Sequence, residues 1–173
     1  MEITVAEDTH VPGIVEVWKE LMDFHRDIDP YNGRSEDGHI HMEKYLRDSM
    51  NSQGAIVLVA LDNGHVVGYS ISGIRKYPPI FQREIRGVID DMAVIYDYRR
   101  KGVGGEMLSR IRQWFDSRNI DRIELSVAAK NQIGYSFWKK HGFQDYHAPP
   151  VLKHRIADRS VSEKGTGYRP ARR

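Results

Sequence analysis

The feature that most constrains the fold is a glycine-rich turn between an apolar, strand-like segment and an amphipathic, helix-like segment. The strand-like run covers residues 88–94, the turn reads Arg-Arg-Lys-Gly-Val-Gly-Gly at 99–105, and the helix-like run covers 107–115. Backbone N–H groups at the start of a helix point at an anion, and the helix dipole favours negative charge there. Glycine lacks a Cβ, so a ligand can approach the backbone closely. The segment therefore predicts a phosphate-binding turn, and an ordinary helix start with surface charge is the alternative.

Two common phosphate-binding motifs do not fit this turn. A Walker loop ends in Gly-Lys-Ser/Thr, which is absent here. A dinucleotide-binding fingerprint needs a third glycine where this chain has Met107.

A second segment, at 131–143, helps to identify the class of protein to which the glycine-rich turn belongs. It follows the strand-like run 123–127, begins with Asn131, continues as a short amphipathic helix and ends in Gly142-Phe143. Asparagine is a good helix N-cap and glycine a good helix stop, so either motif alone carries little information. Together, the order strand, glycine turn, helix, strand, asparagine, helix, Gly-Phe resembles the GCN5-related N-acetyltransferase (GNAT) family. The resemblance covers about residues 2–156.

The resemblance implies that the chain binds acetyl-CoA and transfers its acetyl group to an amine. It places the pyrophosphate at the glycine-rich turn, which comprises Arg99, Arg100, Lys101, Gly102, Val103, Gly104 and Gly105. It places the acetyl carbonyl against backbone N–H groups of the fourth strand, near Met92, Ala93 and Val94. It also places Asn131 and Trp138 beside the acetyl-CoA molecule.

The chain departs from the family pattern at two positions. Gly134 stands where the family often has alanine, and Trp138 stands where it has a tyrosine commonly credited as the general acid. An indole N–H donates a hydrogen bond but is not an acid near neutral pH. We therefore expect Trp138 to pack along the pantetheine arm. Tyr135, one turn earlier, is the candidate acid, and water is the alternative; a core role for Tyr135 is also open.

The general base is predicted to be Asp90 or Asp91, which interrupt an apolar strand just before the expected acetyl site. Acidic residues occupy the matching positions in some family members. The alternation of a strand would put the two side chains on opposite faces, so that only one meets the substrate. An ion-paired carboxylate is the alternative interpretation. Other members take a base five residues before the asparagine, where this chain has Ser126, with Glu124 in reserve.

The pattern of apolar residues predicts the order β-α-α-β-β-β-α-β-α-β-β, with helices near 11–26 and 40–50 and a hairpin around Asp62-Asn63-Gly64. Asp8 or Thr9 is expected to cap the first helix. The last two strands are expected around Pro149-Pro150. This order predicts an α/β fold of the acyl-CoA N-acyltransferase type, with a central, mixed and mostly antiparallel sheet and helices on both faces.

Size and composition set further bounds. The 173 residues fit one acetyltransferase domain, assigned to 1–156, followed by a basic tail at 157–173. No apolar run reaches membrane-spanning length, and the N-terminal residues lack signal-peptide features. The absence of cysteine excludes disulfides and a thiolate nucleophile and is compatible with a cytoplasmic location. A net charge of +2 does not indicate nucleic-acid binding, although the tail leaves a nucleic-acid or ribosomal partner as an alternative to a solvated segment. His39 and His41 are interpreted as surface residues, so no metal is expected.

These observations predict an N-acetyltransferase that moves acetyl from acetyl-CoA directly to a primary amine of a small molecule. The acceptor is expected between the 25–45 segment, the 76–86 loop and the region after Phe143. Five acidic residues hint at a cationic acceptor, although surface charge explains them equally well: Asp23, Asp27, Asp29, Glu36 and Asp37. Peptide or protein N-acetylation and a catalytically silent acyl-CoA-binding module are the alternatives. Family resemblance also makes a homodimer an expectation.

Overall fold

The computed structural model describes residues 1–82 and 84–146. The chain divides into a unit Met1–Phe143 and a second unit Gln144–Arg173. The strands are β1 (Glu2–Val5), β2 (Ala55–Asp62), β3 (His65–Lys76), β4 (Ile85–Val94) and β5 (Ile123–Glu124). The helices are α1 (Val11–Ile28), α2 (Gly38–Met50), α3 (Val103–Asp116) and α4 (Gln132–Lys140). The two strands predicted around Pro149-Pro150 and the tail at 157–173 lie outside the described residues.

The five strands form one sheet in the order β1-β2-β3-β4-β5. The pairs β1–β2, β2–β3 and β3–β4 are antiparallel, and β5 runs parallel to β4. The mixed, mostly antiparallel sheet is therefore confirmed. None of the described helices is long and apolar enough to cross a bilayer.

Both faces of the sheet bury apolar residues, as alternation along β2 requires. On one face, Val57 and Val59 pack with the buried sides of α1 and α2. On the other face, Leu58 and Ala60 pack with α3, which contributes fully buried Met107, Leu108, Ile111 and Phe115. Helices therefore cover both faces, as the sequence predicts.

Three local predictions are wrong. The N-cap of α1 is His10 rather than Asp8 or Thr9, because one turn of 3₁₀ helix (Asp8–His10) precedes α1. The Asp8 carboxylate pairs instead with Arg47 of α2. Tyr45 on α2 is 39% exposed, with its hydroxyl near the Asp90 carboxylate.

The second correction concerns β5, which ends at Glu124 although the apolar pattern predicts a strand to residue 127. Only Gly87↔Ile123 and Val88↔Glu124 pair with β4, and beyond them the two segments separate. This separation opens one edge of β4 in the middle of the domain.

A β-bulge in β4 lies where the edge opens. Ile71 of β3 pairs with Asp91 while the next residue of β3, Ser72, pairs with Ile89, so Asp90 is an extra residue. A bulge breaks the alternation of side chains. Asp90 and Asp91 consequently lie on the same face of the sheet, contacting Arg75 and Tyr69 of β3 respectively, and the expectation of opposite faces is wrong.

Close packing of β4 against α3 depends on Gly87. A Cβ at this position would lie 2.6 Å from the ring of Phe115, which is fully buried. We expect Gly87→Ala to lower the free energy of unfolding by about 1–3 kcal/mol, the usual cost of overpacking a core. Gly54→Ala is the matched control, because its Cβ would meet only Ser52 Oγ at 3.7 Å. Urea denaturation of both variants measures the difference, and equal midpoints would contradict the packing argument.

Candidate active site

A cavity of about 1340 Å³ occupies the gap between β4 and the segment after β5. One wall is the open edge of β4 from Ile89 to Val94, and the opposite wall is formed by residues 125–128 and α4. The start of α3 closes one end. The separation of the two parallel strands thus brings the predicted phosphate turn and the predicted acetyl site to one cavity.

The glycine-rich turn has two residues in the left-handed region, Arg100 at φ +61° and Gly102 at φ +90°. Glycine adopts such angles freely, whereas arginine does so at some cost. The first hydrogen bond of α3 runs from the Glu106 N–H to the Gly102 carbonyl, 3.0 Å apart. The N–H groups of residues 103–105 precede that bond, so they are the ones available for an anion.

The predicted phosphate residues divide into two groups. Arg99, Arg100, Gly102, Gly104 and Gly105 line the cavity, whereas Lys101 and Val103 do not. The Lys101 ammonium lies 4.9 Å from the centre of the Tyr98 ring. Val103 is buried in the core beneath the turn.

Two of the turn glycines are explained by the neighbouring helix α4. A Cβ at Gly104 would lie 3.1 Å from the Phe137 ring, and a Cβ at Gly105 would lie 3.3 Å from His141 Nε2. Both glycines therefore allow α3 and α4 to approach closely, a role that the sequence analysis had not assigned to them.

Arg99 is held by contacts within the protein. Its Nε donates to the Val94 carbonyl at 2.9 Å, and its terminal nitrogen lies 3.2 Å from a carboxylate oxygen of Glu20 on α1. The same Glu20 oxygen accepts from the Tyr96 N–H at 3.0 Å. Glu20 thus ties α1 to the segment that leads into the turn. The sequence alone offers no signal for it, because Glu20 is one of several acidic residues on a surface helix.

The second predicted segment lies along the opposite wall. Asn131 caps α4 by accepting from the Gly134 N–H at 2.8 Å. A Cβ at Gly134 would lie 2.8 Å from Asn131 Nδ2, so glycine at this position gives the folded-back amide its space. Trp138 lines the cavity and contacts the rings of Phe137 and Phe143 edge-on. Tyr135 does not line the cavity, and its geometry gives no support to the predicted role as acid.

The N–H groups along β4 alternate between its two edges. The Ile95 N–H donates to the Val67 carbonyl of β3 at 3.0 Å, and the Val94 carbonyl accepts from Arg99 on the cavity side. By alternation, the N–H groups of Val94 and Met92 face the cavity and that of Ala93 faces β3. The Met92 N–H also interacts with the Asp91 carboxylate. Val94 is therefore the best placed of the three predicted donors.

Asp91 is the carboxylate with the most perturbed environment. Burial raises its pKa from the ordinary 3.8 to about 6, and the charge of Asp90 adds to the rise. Hydrogen bonds from the Tyr69 hydroxyl, at 2.5 Å, and from the Met92 N–H offset part of it. A base with a pKa near neutrality is suited to proton transfer. Tyr69 is a further site residue that the sequence analysis missed, because its pairing with Asp91 depends on the bulge.

Asp90 differs from Asp91 in its partners. Its carboxylate lies 2.7 Å from an Arg75 nitrogen, and its side chain is 23% exposed. Burial raises the pKa of Asp90, while the Arg75 charge and the nearby Tyr45 hydroxyl offset part of the rise. The ion-paired interpretation therefore fits Asp90, and the base interpretation fits Asp91.

Glu124, the alternative candidate for the base, is hydrogen-bonded to other side chains. It accepts from the Tyr77 hydroxyl at 2.6 Å and from Arg122 Nε at 2.8 Å. Burial alone would raise the pKa of Glu124, but these bonds and the charges of Arg86 and Arg122 outweigh it and lower the pKa. Such a stabilised carboxylate is a poor base near neutral pH.

Some of the five acidic residues that hinted at a cationic acceptor have ion-pair partners nearby. Asp23 pairs with Arg26 and Arg34, and Asp37 pairs with His41. None of the five acidic residues lines the cavity. Among the described residues no cluster of three or more histidine or acidic side chains could hold a metal ion.

Comparison with known proteins agrees with this geometry. Residues 16–143 match the Acetyltransferase (GNAT) family. The chain is 20% identical to the uncharacterized N-acetyltransferase YhfO of Bacillus subtilis, over 84% of the chain and 91% of that protein. It is 26% identical to an N-alpha-acetyltransferase of Sulfurisphaera tokodaii, over 66% of the chain and 70% of that protein.

Solved structures share the fold at low identity. A mutant of the BH1408 protein of Bacillus halodurans superposes with a TM-score of 0.81 at 20% identity, covering 89% of this chain and 99% of that one. A predicted acetyltransferase of Clostridium acetobutylicum with acetyl-CoA gives a TM-score of 0.69 at 19% identity, covering 89% of this chain and 98% of that one. An aminoglycoside 6'-N-acetyltransferase of Acinetobacter haemolyticus gives a TM-score of 0.71 at 16% identity, covering 90% of this chain and 99% of that one.

The chain belongs to the acetyltransferase (GNAT) family. It is accordingly an acetyltransferase that uses acetyl-CoA as its donor.

The two cationic neighbours in the turn offer a test of the phosphate site. Arg100 lines the cavity and Lys101 does not. We expect Arg100→Asn to weaken coenzyme A binding roughly threefold to tenfold, as expected for an exposed charge contact. Asparagine tolerates the left-handed backbone of this position, so the turn should persist. Lys101→Asn is the control of equal charge change, and titration calorimetry measures both. Equal effects at the two positions would contradict the assignment.

The raised pKa of Asp91 also has a consequence for stability. An acid whose pKa is higher in the folded state stabilises the fold below its ordinary pKa, and this stability is lost as pH rises through the folded value. The shift from 3.8 to about 6 corresponds to about 3 kcal/mol. Asp91→Asn should therefore be more stable than the wild type at pH 8, while the difference should fade towards pH 4. Chemical denaturation at both pH values checks it; a difference independent of pH would exclude a titrating Asp91.

Proposed function

We propose that the protein transfers acetyl from acetyl-CoA directly to a primary amine of a small molecule, with Asp91 as the general base. The observation that carries the proposal is the position of Asp91. Its partly buried carboxylate lies on the same cavity as the start of α3 and the open edge of β4. The proposed donor site, the proposed carbonyl site and the proposed base would therefore share one cavity.

The start of α3 is proposed to bind the pyrophosphate of the donor. The N–H groups of residues 103–105 and the Arg100 side chain supply positive potential there. Glu20 and Arg99 hold the turn in place rather than contacting phosphate. The solved Clostridium acetobutylicum acetyltransferase contains acetyl-CoA, and its shared fold supports this placement.

The open edge of β4 is proposed to bind the acetyl carbonyl. The Val94 N–H faces the cavity and lies on a strand held by β3, so it needs no rearrangement to meet the charge that develops on the oxygen. Donors of this kind contribute about 3 kcal/mol each to catalysis. The Met92 N–H, which also interacts with Asp91, is the second donor.

Asp91 is proposed to remove the proton of the acceptor amine. A free alkylammonium has a pKa of about 10.4, so most of it is protonated near neutral pH and cannot attack. The ammonium gives a proton to the Asp91 carboxylate, and the neutral amine attacks the thioester carbon. The carbon–sulfur bond breaks, and the nitrogen loses its second proton to water, which leaves a neutral amide and the thiolate of coenzyme A. The thiol has a pKa of about 8.5, so the leaving thiolate needs only a proton from water. Trp138 packs along the pantetheine arm.

Two comparisons bear on the class of acceptor, and they favour different classes. A structural neighbour is an aminoglycoside N-acetyltransferase, which favours a small-molecule amine. A curated relative is an N-alpha-acetyltransferase, which keeps peptide or protein N-acetylation as the second candidate. A panel of small amines and short peptides, followed by mass spectrometry and thiol release, decides between them. If neither the small amines nor the peptides cause release of thiol, the result would identify a module that does not transfer acetyl to amines. A homodimer in the cytoplasm stays a prediction.

The base assignment makes a distinct prediction for the pH profile. As pH increases, wild-type kcat/KM should rise with an apparent pKa of about 6, which is the pKa of Asp91. Asp91→Asn should lower kcat/KM at pH 7 by roughly 10²–10⁴-fold, with partial recovery at high pH where more amine is neutral.

Asp90→Asn is the matched control. Its ion pair with Arg75 makes it the weaker base, so its variant should lose less activity and keep the acidic limb of the profile. If the acidic limb survives in Asp91→Asn and disappears in Asp90→Asn, the two roles are reversed.

A further inference from the structure

His141 follows the last residue of α4, lines the large cavity and has no role in the proposed mechanism. Its Nε2 lies 3.3 Å from the point that a Cβ at Gly105 would occupy. The Cα–Cβ bond of a helical residue is tilted towards the N-terminus of its helix, so this point lies on the N-terminal side of Gly105. Nε2 therefore borders the first turn of α3, where the donor pyrophosphate is proposed to bind.

The other ring nitrogen fixes the orientation of the imidazole. His141 Nδ1 lies 2.8 Å from the carbonyl oxygen of Phe137, one turn back along α4. A carbonyl oxygen only accepts hydrogen bonds, so Nδ1 carries the hydrogen of this bond. The ring also packs on the Phe137 ring, with the two centroids 4.3 Å apart. Nε2 is consequently a bare acceptor in the neutral imidazole and becomes an N–H donor only when the ring is protonated.

A ligand can reach His141 Nε2. The atom makes no hydrogen bond among the described residues, yet it is not one of the buried polar atoms there that lack a partner. A polar atom that is neither paired within the protein nor buried is in contact with solvent. The side chain is partly exposed, at the wall of the large cavity.

Several elements bring positive groups to the surroundings of His141. Arg112 of α3 donates to the His141 carbonyl, and Lys140 and Arg100 line the cavity from α4 and the glycine-rich turn. The first turn of α3 is the positive end of that helix dipole, whereas the end of α4 favours a cation at His141. Glu106 of α3 is exposed and does not line the cavity. The carboxylates that do line it lie on β4 and in the segment just after β4: Asp90, Asp91 and Asp97.

We propose that His141 is a donor-binding residue whose protonated Nε2 donates to a pyrophosphate oxygen of acetyl-CoA, so that binding of the donor takes up a proton. In the neutral ring the Nε2 lone pair would face the phosphate oxygens, whereas the charged ring makes a charge-assisted hydrogen bond to them. Histidine ordinarily changes charge between pH 5 and 8, so affinity for the donor falls as pH rises through that range. This inference rests on the proposed position of the pyrophosphate at the start of α3.

The test uses dephospho-CoA, which keeps the pyrophosphate and lacks the 3′-phosphate. A phosphate monoester has a second pKa of about 6, and its dianion gains affinity for cations as pH rises, so coenzyme A itself would mask the effect. Titration calorimetry on the full chain should give wild-type affinity roughly threefold to tenfold higher at pH 5.5 than at pH 7.5. Two buffers of different ionisation enthalpy should also reveal proton uptake on binding.

His141→Asn removes Nε2 and keeps an N–H donor near the position of Nδ1, so the bond to the Phe137 carbonyl can persist. It should lower affinity at pH 5.5 by roughly threefold to tenfold, change it little at pH 7.5 and abolish the proton uptake. His141→Gln, which places a neutral N–H near the position of Nε2, should restore part of the affinity without the pH dependence. His65→Gln is the matched control, because His65 is exposed at the start of β3 and does not line the cavity. It should behave as the wild type.

Three outcomes would overturn the inference. An equal loss of affinity at both pH values in His141→Asn would show that the residue only holds the end of α4. Proton uptake that persists in His141→Asn would assign the proton to another group. Proton uptake with coenzyme A and none with dephospho-CoA would place the contact at the 3′-phosphate instead of the pyrophosphate.

The Arg100→Asn variant separates this inference from the proposed function. If Arg100→Asn and His141→Asn both leave the affinity for dephospho-CoA unchanged, the pyrophosphate does not lie at the start of α3 and the proposed position of the donor fails as well. If Arg100→Asn weakens binding while His141→Asn changes neither affinity nor its pH dependence, the position of the donor stands and only the role of His141 fails.

Discussion

The separation of β4 from β5 after two paired residues is the constraint on which the rest of the site depends. A parallel pair that continued would have used the N–H groups on that edge of β4 in a ladder, and the large cavity would be filled by sheet. Because pairing ends at Val88↔Glu124, those groups face a cavity instead. The chain thereby obtains polar, rigidly held backbone donors inside the domain without a buried loop.

The bulge at Asp90 completes that arrangement by placing two carboxylates on one face. An unshifted strand would direct one of them at the apolar face that packs on α3. The extra residue instead turns Asp90 towards Arg75 and Asp91 towards Tyr69. The two neighbours then differ in chemistry, because one is neutralised by an ion pair while burial raises the pKa of the other to about 6. Holding an ionised carboxylate in this position costs stability, and the proposed role of Asp91 as the base would account for such a cost.

Much of the architecture follows from the order of local signals in the sequence. The apolar periods, the Asp62-Asn63-Gly64 turn and the glycine-rich turn define the strands and helices that form the sheet and its cover. Asn131 as an N-cap and Gly142 as a helix stop are likewise local features, and both are found. Each of these depends on a few neighbouring residues, so the sequence is sufficient to predict them.

The features that the sequence does not predict depend on contacts between distant residues. The bulge is a difference in register between β3 and β4, and no residue type announces it. The early end of β5 arises although Leu125-Ser126-Val127 continues the strand pattern. Glu20 and Tyr69 acquire their roles from partners on other elements. The role of Tyr135 as the acid stays a prediction. Helical spacing locates a face of α4 but does not say which face borders the cavity, and Tyr135 is not among the residues that line it.

The two walls of the large cavity differ in mechanical stiffness. β4 is anchored along nearly its full length by register pairs with β3, so its edge behaves as a fixed reference surface. The opposite wall is joined to β4 by two register pairs, and α4 meets α3 through side-chain packing at Gly104 and Gly105. A bound molecule that pushes the two walls apart should therefore displace the second wall before it displaces β4. Bound molecules of different thickness could be accommodated there, while a carbonyl at the proposed site on β4 would keep its alignment.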